Sequence, residues 1–194
     1  VDYLAKTRFR RTLYLDSDTR VVADLRPMFE LLSRFDLAIA HAHARNAGRQ
    51  TKIWRQEIPD AFPQHNGGVI LYRGEGKAIK FMQDWSDAFH QAGFKWDQIT
   101  LREMMWTSDL AIYVLPPEYN IRYRKYLDVW TDREATPKIM HLEDYYEEVA
   151  GSAARDLLAI EIEDDVALRT TVLGDSHVMP LAVVDGDGAA QPER

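Results

Sequence analysis

RTLYLDSDTRVV, residues Arg11–Val22, decides how this chain is read. Leu13, Tyr14 and Leu15 form a short apolar run, and Asp16 and Asp18 follow at once. The pattern predicts a buried strand over Thr12–Leu15 that ends in paired carboxylates. Charge beside a core is costly unless something positive meets it. In extended chain the spacing sends both side chains to one side, and the far end of a strand in an open α/β sheet is where ligands bind. Two carboxylates with water make a hard oxygen site suited to Mg²⁺ or Mn²⁺. The alternative is that both aspartates cap a turn.

Working outward, strands and helices alternate. Asp24 is placed to N-cap a helix with Pro27 in its first turn and Leu25, Met28, Phe29, Leu31 and Leu32 on one face. DLAIAHA (36–42) is a second strand, and NGGVILYR (66–73) is a third, entered through two glycines. A helix follows with Ile79, Phe81, Met82, Trp85 and Phe89 at helical spacing and Gly93 as its stop. A further helix is expected from Asp97 to about Trp106. A strand then closes at Pro116–Pro117, and a short one opens after Pro137. The alternation predicts an α/β domain with a mostly parallel sheet flanked by helices. The polar stretch from His43 to Gln64 is long for a loop, and such loops are usually functional or disordered; it is the expected acceptor contact.

The 194 residues suffice for one domain with a tail. Residues 1–150 read as that domain and 151–194 as an acidic extension whose small, polar last residues are expected to be disordered. A net charge of −7 argues against a nucleic-acid partner. The absence of cysteine excludes disulfides, thiolate metal sites and cysteine nucleophiles. No apolar run is long enough to span a bilayer.

LYLDSDTRV, NGGVILYR, WDQ (96–98), LPPEYNIRY (115–123) and KIMHL (138–142) form an ordered series. The series, over roughly Lys6 to Leu142, resembles the GT-A glycosyltransferases. The likeness is nearest to the family-8-like nucleotide-sugar transferases, which include glycogenin and the bacterial galactosyltransferases. The resemblance implies a GT-A-like fold and transfer of a sugar from a nucleotide-diphosphate donor, with retention of configuration, to a glycan, lipid or protein acceptor. It implies that Asp16 and Asp18 are the DxD pair, with Asp16 also reaching towards the nucleotide. It implies that His141 is the third protein ligand of the metal. An imidazole in that set favours Mn²⁺ over Mg²⁺. By the same likeness Asn66, Gly67 and Gly68 face the donor sugar, Asp97 hydrogen-bonds it, and Gln98 lies near the reacting carbon. Tyr119 and Asn120 are candidates behind these groups. Taken alone, His141 reads as a satisfied histidine on a half-buried strand, Asp97 as an N-cap, and His41 and His43 as surface or core histidines.

The chain departs from the family pattern in three places. After the histidine the family continues with a lysine that helps hold the diphosphate, whereas here LEDYYEEV (142–149) is acidic. The cations are then expected among Lys6, Arg8, Arg10 and Arg11, or among Arg122, Arg124 and Lys125. Gly67 stands where the family carries a hydroxyl residue. The family's nucleobase-binding strand precedes the DxD by more chain than is present, so the resemblance implies a fragment lacking its first strands. Such a fragment would expose an apolar sheet edge and be poorly active alone. Two other classes remain open. LGDSHVMPLA (173–182) slightly resembles the Gly-Asp motif of haloacid-dehalogenase-type phosphatases, and a non-catalytic sugar-binding domain is the other.

Overall fold

The computed structural model describes residues 1–45, 47–48, 52–142, 171–172 and 181–184. Apart from two short strands, the expected acidic extension lies outside the described residues, and so does the Gly174–Asp175 pair of the phosphatase alternative. The strands are β1 (Arg11–Leu15), β2 (Thr19–Val21), β3 (Leu37–His41), β4 (His65–Arg73), β5 (Ile112–Leu115), β6 (Ile139–His141), β7 (Thr171–Val172) and β8 (Leu181–Val184). The helices are α1 (Arg26–Phe29), α2 (Gly76–Ala92), α3 (Gln98–Thr107) and α4 (Lys125–Val129), with 3₁₀ turns at Leu4–Lys6, Glu30–Ser33 and Pro117–Tyr119.

The main sheet has the order β5-β3-β4-β1-β8-β7, and β2 pairs with β6 beside it. The sheet is mostly antiparallel, which corrects the expectation of a mostly parallel one. Among the described residues, β3–β5 is the only parallel pair of strands. β1 and β3 do run the same way, but β4 lies between them and opposes both. The misreading has a physical cause. The expectation comes from the alternation of strands with helices, and unbroken apolar runs, the mark of strands buried on both faces, do not betray strand direction in a sheet. Here helices cover both faces of an antiparallel one.

Two of the three apolar clusters among the described residues flank the main sheet, and its strands feed them alternately. Leu13, Leu15, Ala38, Ala40, Val69 and Leu71 pack with Met28, Phe29 and Leu32 of the α1 region. Leu37, Ile39, Ile70 and Tyr72 pack on the other face with Phe81, Met82 and Trp85 of α2 and Leu101 and Met105 of α3. Gly93 ends α2 in the left-handed conformation, at φ 64°. The helix after Asp24 is shorter than its periodicity suggests and finishes as a 3₁₀ turn. Leu25 occupies the N-cap, and Asp24 accepts the Arg26 backbone N–H at 3.0 Å from one position earlier. β8 pairs with β1 on the side away from β4, from Thr12–Val184 to Leu15–Leu181.

The polar stretch between β3 and β4 is tied to α3 by two adjacent buried charges. Glu103 is 5% exposed and accepts backbone N–H groups from Trp54, Arg55 (2.9 Å) and Gln56 (3.1 Å). Arg102 is 7% exposed and donates to the carbonyls of Phe62 (2.8 Å), Ile58 (3.0 Å) and Pro59 (3.1 Å). Each side chain thus satisfies main-chain groups of the loop, and the Pro59 carbonyl also accepts the Phe62 N–H at 2.8 Å. Replacing Glu103 by Gln leaves N–H donors facing an amide nitrogen. Hydrogen bonds to a charged group are the stronger kind, so chemical denaturation is expected to show a loss of about 1.5–3 kcal/mol. Limited proteolysis is expected to cut first within 52–64.

Candidate functional site

At the end of β1 the chain makes a turn. Asp16 O accepts both the backbone N–H of Thr19 (3.1 Å) and its hydroxyl (2.6 Å). The turn and ligand readings of this segment are therefore compatible: the Asp16 backbone closes the turn and its carboxylate stays free of it. The two carboxylates converge through this turn and not through strand alternation. β2 leaves the turn and pairs with β6, which sets Thr19 opposite His141.

Asp16, Asp18 and His141 each offer an atom, and these atoms lie within 4.8 Å of one another. His141 Nε2 is 3.0 Å from Asp18 Oδ1 and 3.8 Å from Asp16 Oδ2. The imidazole is buried while Asp16 is partly open to solvent. Burial pushes the Asp18 carboxyl up, but the hydrogen bond and charge of His141, with the charge of Arg122, outweigh it and hold the group below its ordinary range. Arg122 Nη1 stands 3.4 Å from Asp18 Oδ2. Two carboxylates and an imidazole fit a divalent cation, with oxygen for its hardness and one nitrogen that shifts preference away from Mg²⁺.

β4 makes room for this convergence. Ile39 opposes Ile70, yet the next residue, Ala40, opposes Asn66, so Gly67, Gly68 and Val69 are extra on the β4 side. That segment stays with β1, where Leu15 opposes Val69 and Asp16 N donates to Gly68 O at 2.9 Å. Irregularities of this kind re-aim side chains next to active sites. A Cβ at Gly68 would overlap His141 Cε1 and come within 2.6 Å of Asp16 Oδ2. Glycine is thus required for the ligands to meet. A Cβ at Gly67 would meet Trp85 at 3.4 Å and Asp97 Oδ2 at 3.8 Å, which is ordinary contact.

A small cavity of about 50 Å³ opens beside the triad, lined by Tyr14, Asp16, Gly67, Gly68, Asp97 and Gln98 among others. Asp97 occupies the N-cap of α3 but makes no capping hydrogen bond with its side chain. Burial pushes its carboxyl up, and the charge of Asp16 adds to the rise. The indole N–H of Trp85 donates to Asp97 O at 3.2 Å, which ties the start of α3 to α2. Asn66 faces the triad from β4, its Oδ1 accepting the Gly68 N–H at 3.1 Å.

The structure thus gathers Asp16, Asp18, His141, Asn66, Gly67, Gly68, Asp97 and Gln98 at one end of the sheet. Of the two expected cation groups, Arg122 reaches the triad, whereas Arg11 begins β1 at its far end and Arg10 pairs with Glu75. His41 and His43 do not join. His43 packs against Tyr123 (centroids 3.9 Å apart) and its Nδ1 meets the Tyr126 hydroxyl, while His41 lies against His65. One contributor was not expected: Tyr14, whose hydroxyl donates to Asp16 Oδ1 at 2.9 Å. Its signal was the break in the apolar pattern just before the aspartates.

The nucleotide-diphospho-sugar transferase family model matches residues 10–149. No curated protein matches the chain by sequence. Solved structures similar to the chain include two of LgtC. One is a galactosyltransferase complex with donor and acceptor sugar analogs (18% identity, TM-score 0.49) and the other an active-site mutant (16%, TM-score 0.51). Each covers 72% of this chain, which spans 55% and 56% of the respective LgtC chains. Mouse xyloside xylosyltransferase 1 is 18% identical, with 72% of this chain and 60% of that chain covered and a TM-score of 0.44. The LgtC likeness at 0.51 supports the fold.

Two expectations follow from this geometry. Gly68→Ala should weaken Mn²⁺ binding in a calorimetric titration and cost about 1–3 kcal/mol of stability by overpacking, whereas Gly67→Ala should leave both near the native value. Asp97 carries a carboxyl whose folded-state pKa lies above its unfolded one. Its ionisation therefore destabilises the fold above that range, and the penalty vanishes below it. Asp97→Asn should melt higher than the native chain at pH 7, and the difference should shrink as the pH falls towards 3.

Proposed function

The chain belongs to the nucleotide-diphospho-sugar transferase family, and from that premise we propose metal-dependent transfer of a sugar from a nucleotide-diphosphate donor to an acceptor. The observation that carries the proposal is the convergence of Asp16, Asp18 and His141. Residues 1–150 form the transferase domain in this reading, with 151–194 as an extension. The donor set suits Mn²⁺, with Mg²⁺ as the weaker alternative.

Asp16, Asp18 and His141 would hold the metal, and a divalent cation bound there would supply Lewis-acid neutralisation of the departing diphosphate. Arg122, already beside Asp18, supplies the fixed positive charge that the family places on a lysine after the histidine. Its guanidinium suits phosphate oxygens by geometry as well as charge. Asn66 and Asp97 orient the sugar hydroxyls, so binding energy is used to align the anomeric carbon. Gly67 and Gly68 line the small cavity beside the triad, where the donor sugar sits in this reading. Gln98 lies near the anomeric carbon at the start of α3. The bond between the anomeric carbon and the diphosphate oxygen breaks with its electrons leaving on that oxygen, the acceptor oxygen forms the new bond, and its proton passes to the departing diphosphate. By family analogy the sugar keeps its configuration. The acceptor is a glycan, lipid or protein, and the clamped loop from His43 to Gln64 is the surface that meets it.

The test is a donor screen of the full-length protein with Mn²⁺ and with chelator, followed by Asp18→Ala. Transfer is expected only with metal, and the variant should lose about a hundredfold or more, in line with the several kcal/mol a Lewis acid provides. Unchanged turnover in Asp18→Ala would sink the proposal. Mn²⁺ binding without donor turnover would favour a non-catalytic sugar-nucleotide-binding domain.

A further inference from the structure

Behind the metal-facing edge of His141 runs a chain of side-chain amides whose direction can be worked out. The Gly68 N–H can only donate, so the Asn66 atom 3.1 Å from it is Oδ1. Asn120 approaches that same oxygen at 3.2 Å and must present a donor, which is Nδ2. The other end of the Asn120 amide is therefore Oδ1, and it lies 2.7 Å from His141 Nδ1. An oxygen there requires a hydrogen on Nδ1. The imidazole that binds a metal is neutral, with one N–H; with Nδ1–H engaged by Asn120, Nε2 would offer its lone pair to the cation in place of its hydrogen bond to Asp18. Nε2 is the atom that faces Asp18 and Asp16.

The arrangement is also rigid. Asn120 is 7% exposed and His141 1%. Asn120 N donates to Pro117 O at 3.0 Å, which closes the PPEYN turn. The next residue exchanges backbone hydrogen bonds with β6, from Ile121 N to Ile139 O (3.0 Å) and from His141 N to Ile121 O (2.9 Å). The amide and the imidazole are thus fixed to one another through the main chain.

We infer that Asn120 is a positioning residue of the metal site: oriented by Asn66, it holds His141 as the Nδ1–H tautomer with Nε2 turned to the aspartates. Asn66 then does two jobs. Its oxygen is committed to this relay and its Nδ2 is left for the donor sugar. The inference rests on the metal-dependent function proposed above, but its readout is metal affinity in the absence of any sugar donor.

The experiment is calorimetric titration of the full chain with Mn²⁺. Asn120→Leu should weaken binding by about 10–100-fold, the usual cost of removing a ligand's outer hydrogen-bond partner. Asn120→Asp keeps an acceptor for Nδ1–H and should bind more tightly than Asn120→Leu. In a His141→Ala background the Leu substitution should change affinity by less than about twofold, because the group through which it acts is gone. Asn120→Ser, too short to reach Nδ1, replaces Asn120→Leu if the latter fails to fold. Native affinity in Asn120→Leu overturns the inference alone, and so does an equal loss with and without His141. Failure of the native chain to bind Mn²⁺ overturns the inference and the metal-dependent function together.

Discussion

Two carboxylates and an imidazole brought within reach of one point are an electrostatic demand, and the end of the sheet is built around meeting it. Asp16 and Asp18 repel each other, and burial raises the cost of charging Asp18. His141 and Arg122 answer from the protein side. The rest follows from holding these groups together. The turn at Asp16–Thr19 brings the carboxylates round, β6 presents the imidazole, and the extra length of β4 leaves a gap that only a residue without a side chain can occupy.

The position of β4 explains why one end of the sheet carries the chemistry. β4 runs opposite to β1, so it begins where β1 finishes. Asn66, Gly67 and Gly68 at its start therefore face the aspartates after Leu15. A parallel neighbour would have brought its last residues there instead. The small cavity beside the triad adds Asp97, a carboxyl held in surroundings that resist its ionisation. Such a group costs stability and is kept where a site needs it.

Some of this was legible in the sequence, for identifiable reasons. Asp16 and Asp18 stand out because they adjoin an apolar run in which charged groups have no packing purpose, whereas His141 was legible only through the family resemblance. The order of these segments carried the fold class. Strand direction was hidden, because residues such as Leu37–Ala40 and Val69–Tyr72 are buried on both faces and show the same apolar run whichever way they point. The pairing of β8 with β1 depends on residues far apart in the chain, and no local pattern announces it. Asn120 was only a candidate behind the site, with no role assigned, because its contacts with Asn66 and His141 are long-range. Arg102 and Glu103 did leave a signal, two opposite charges between Leu101 and Met104 in an otherwise apolar helix, and it was not used.

The clamp formed by those two residues touches the loop only through its peptide groups. Glu103 reads amide hydrogens at Trp54, Arg55 and Gln56, and Arg102 reads carbonyl oxygens at Ile58, Pro59 and Phe62. Neither depends on which side chains those positions carry. Mutation can therefore rewrite the loop's outward chemistry while its path over the protein stays fixed.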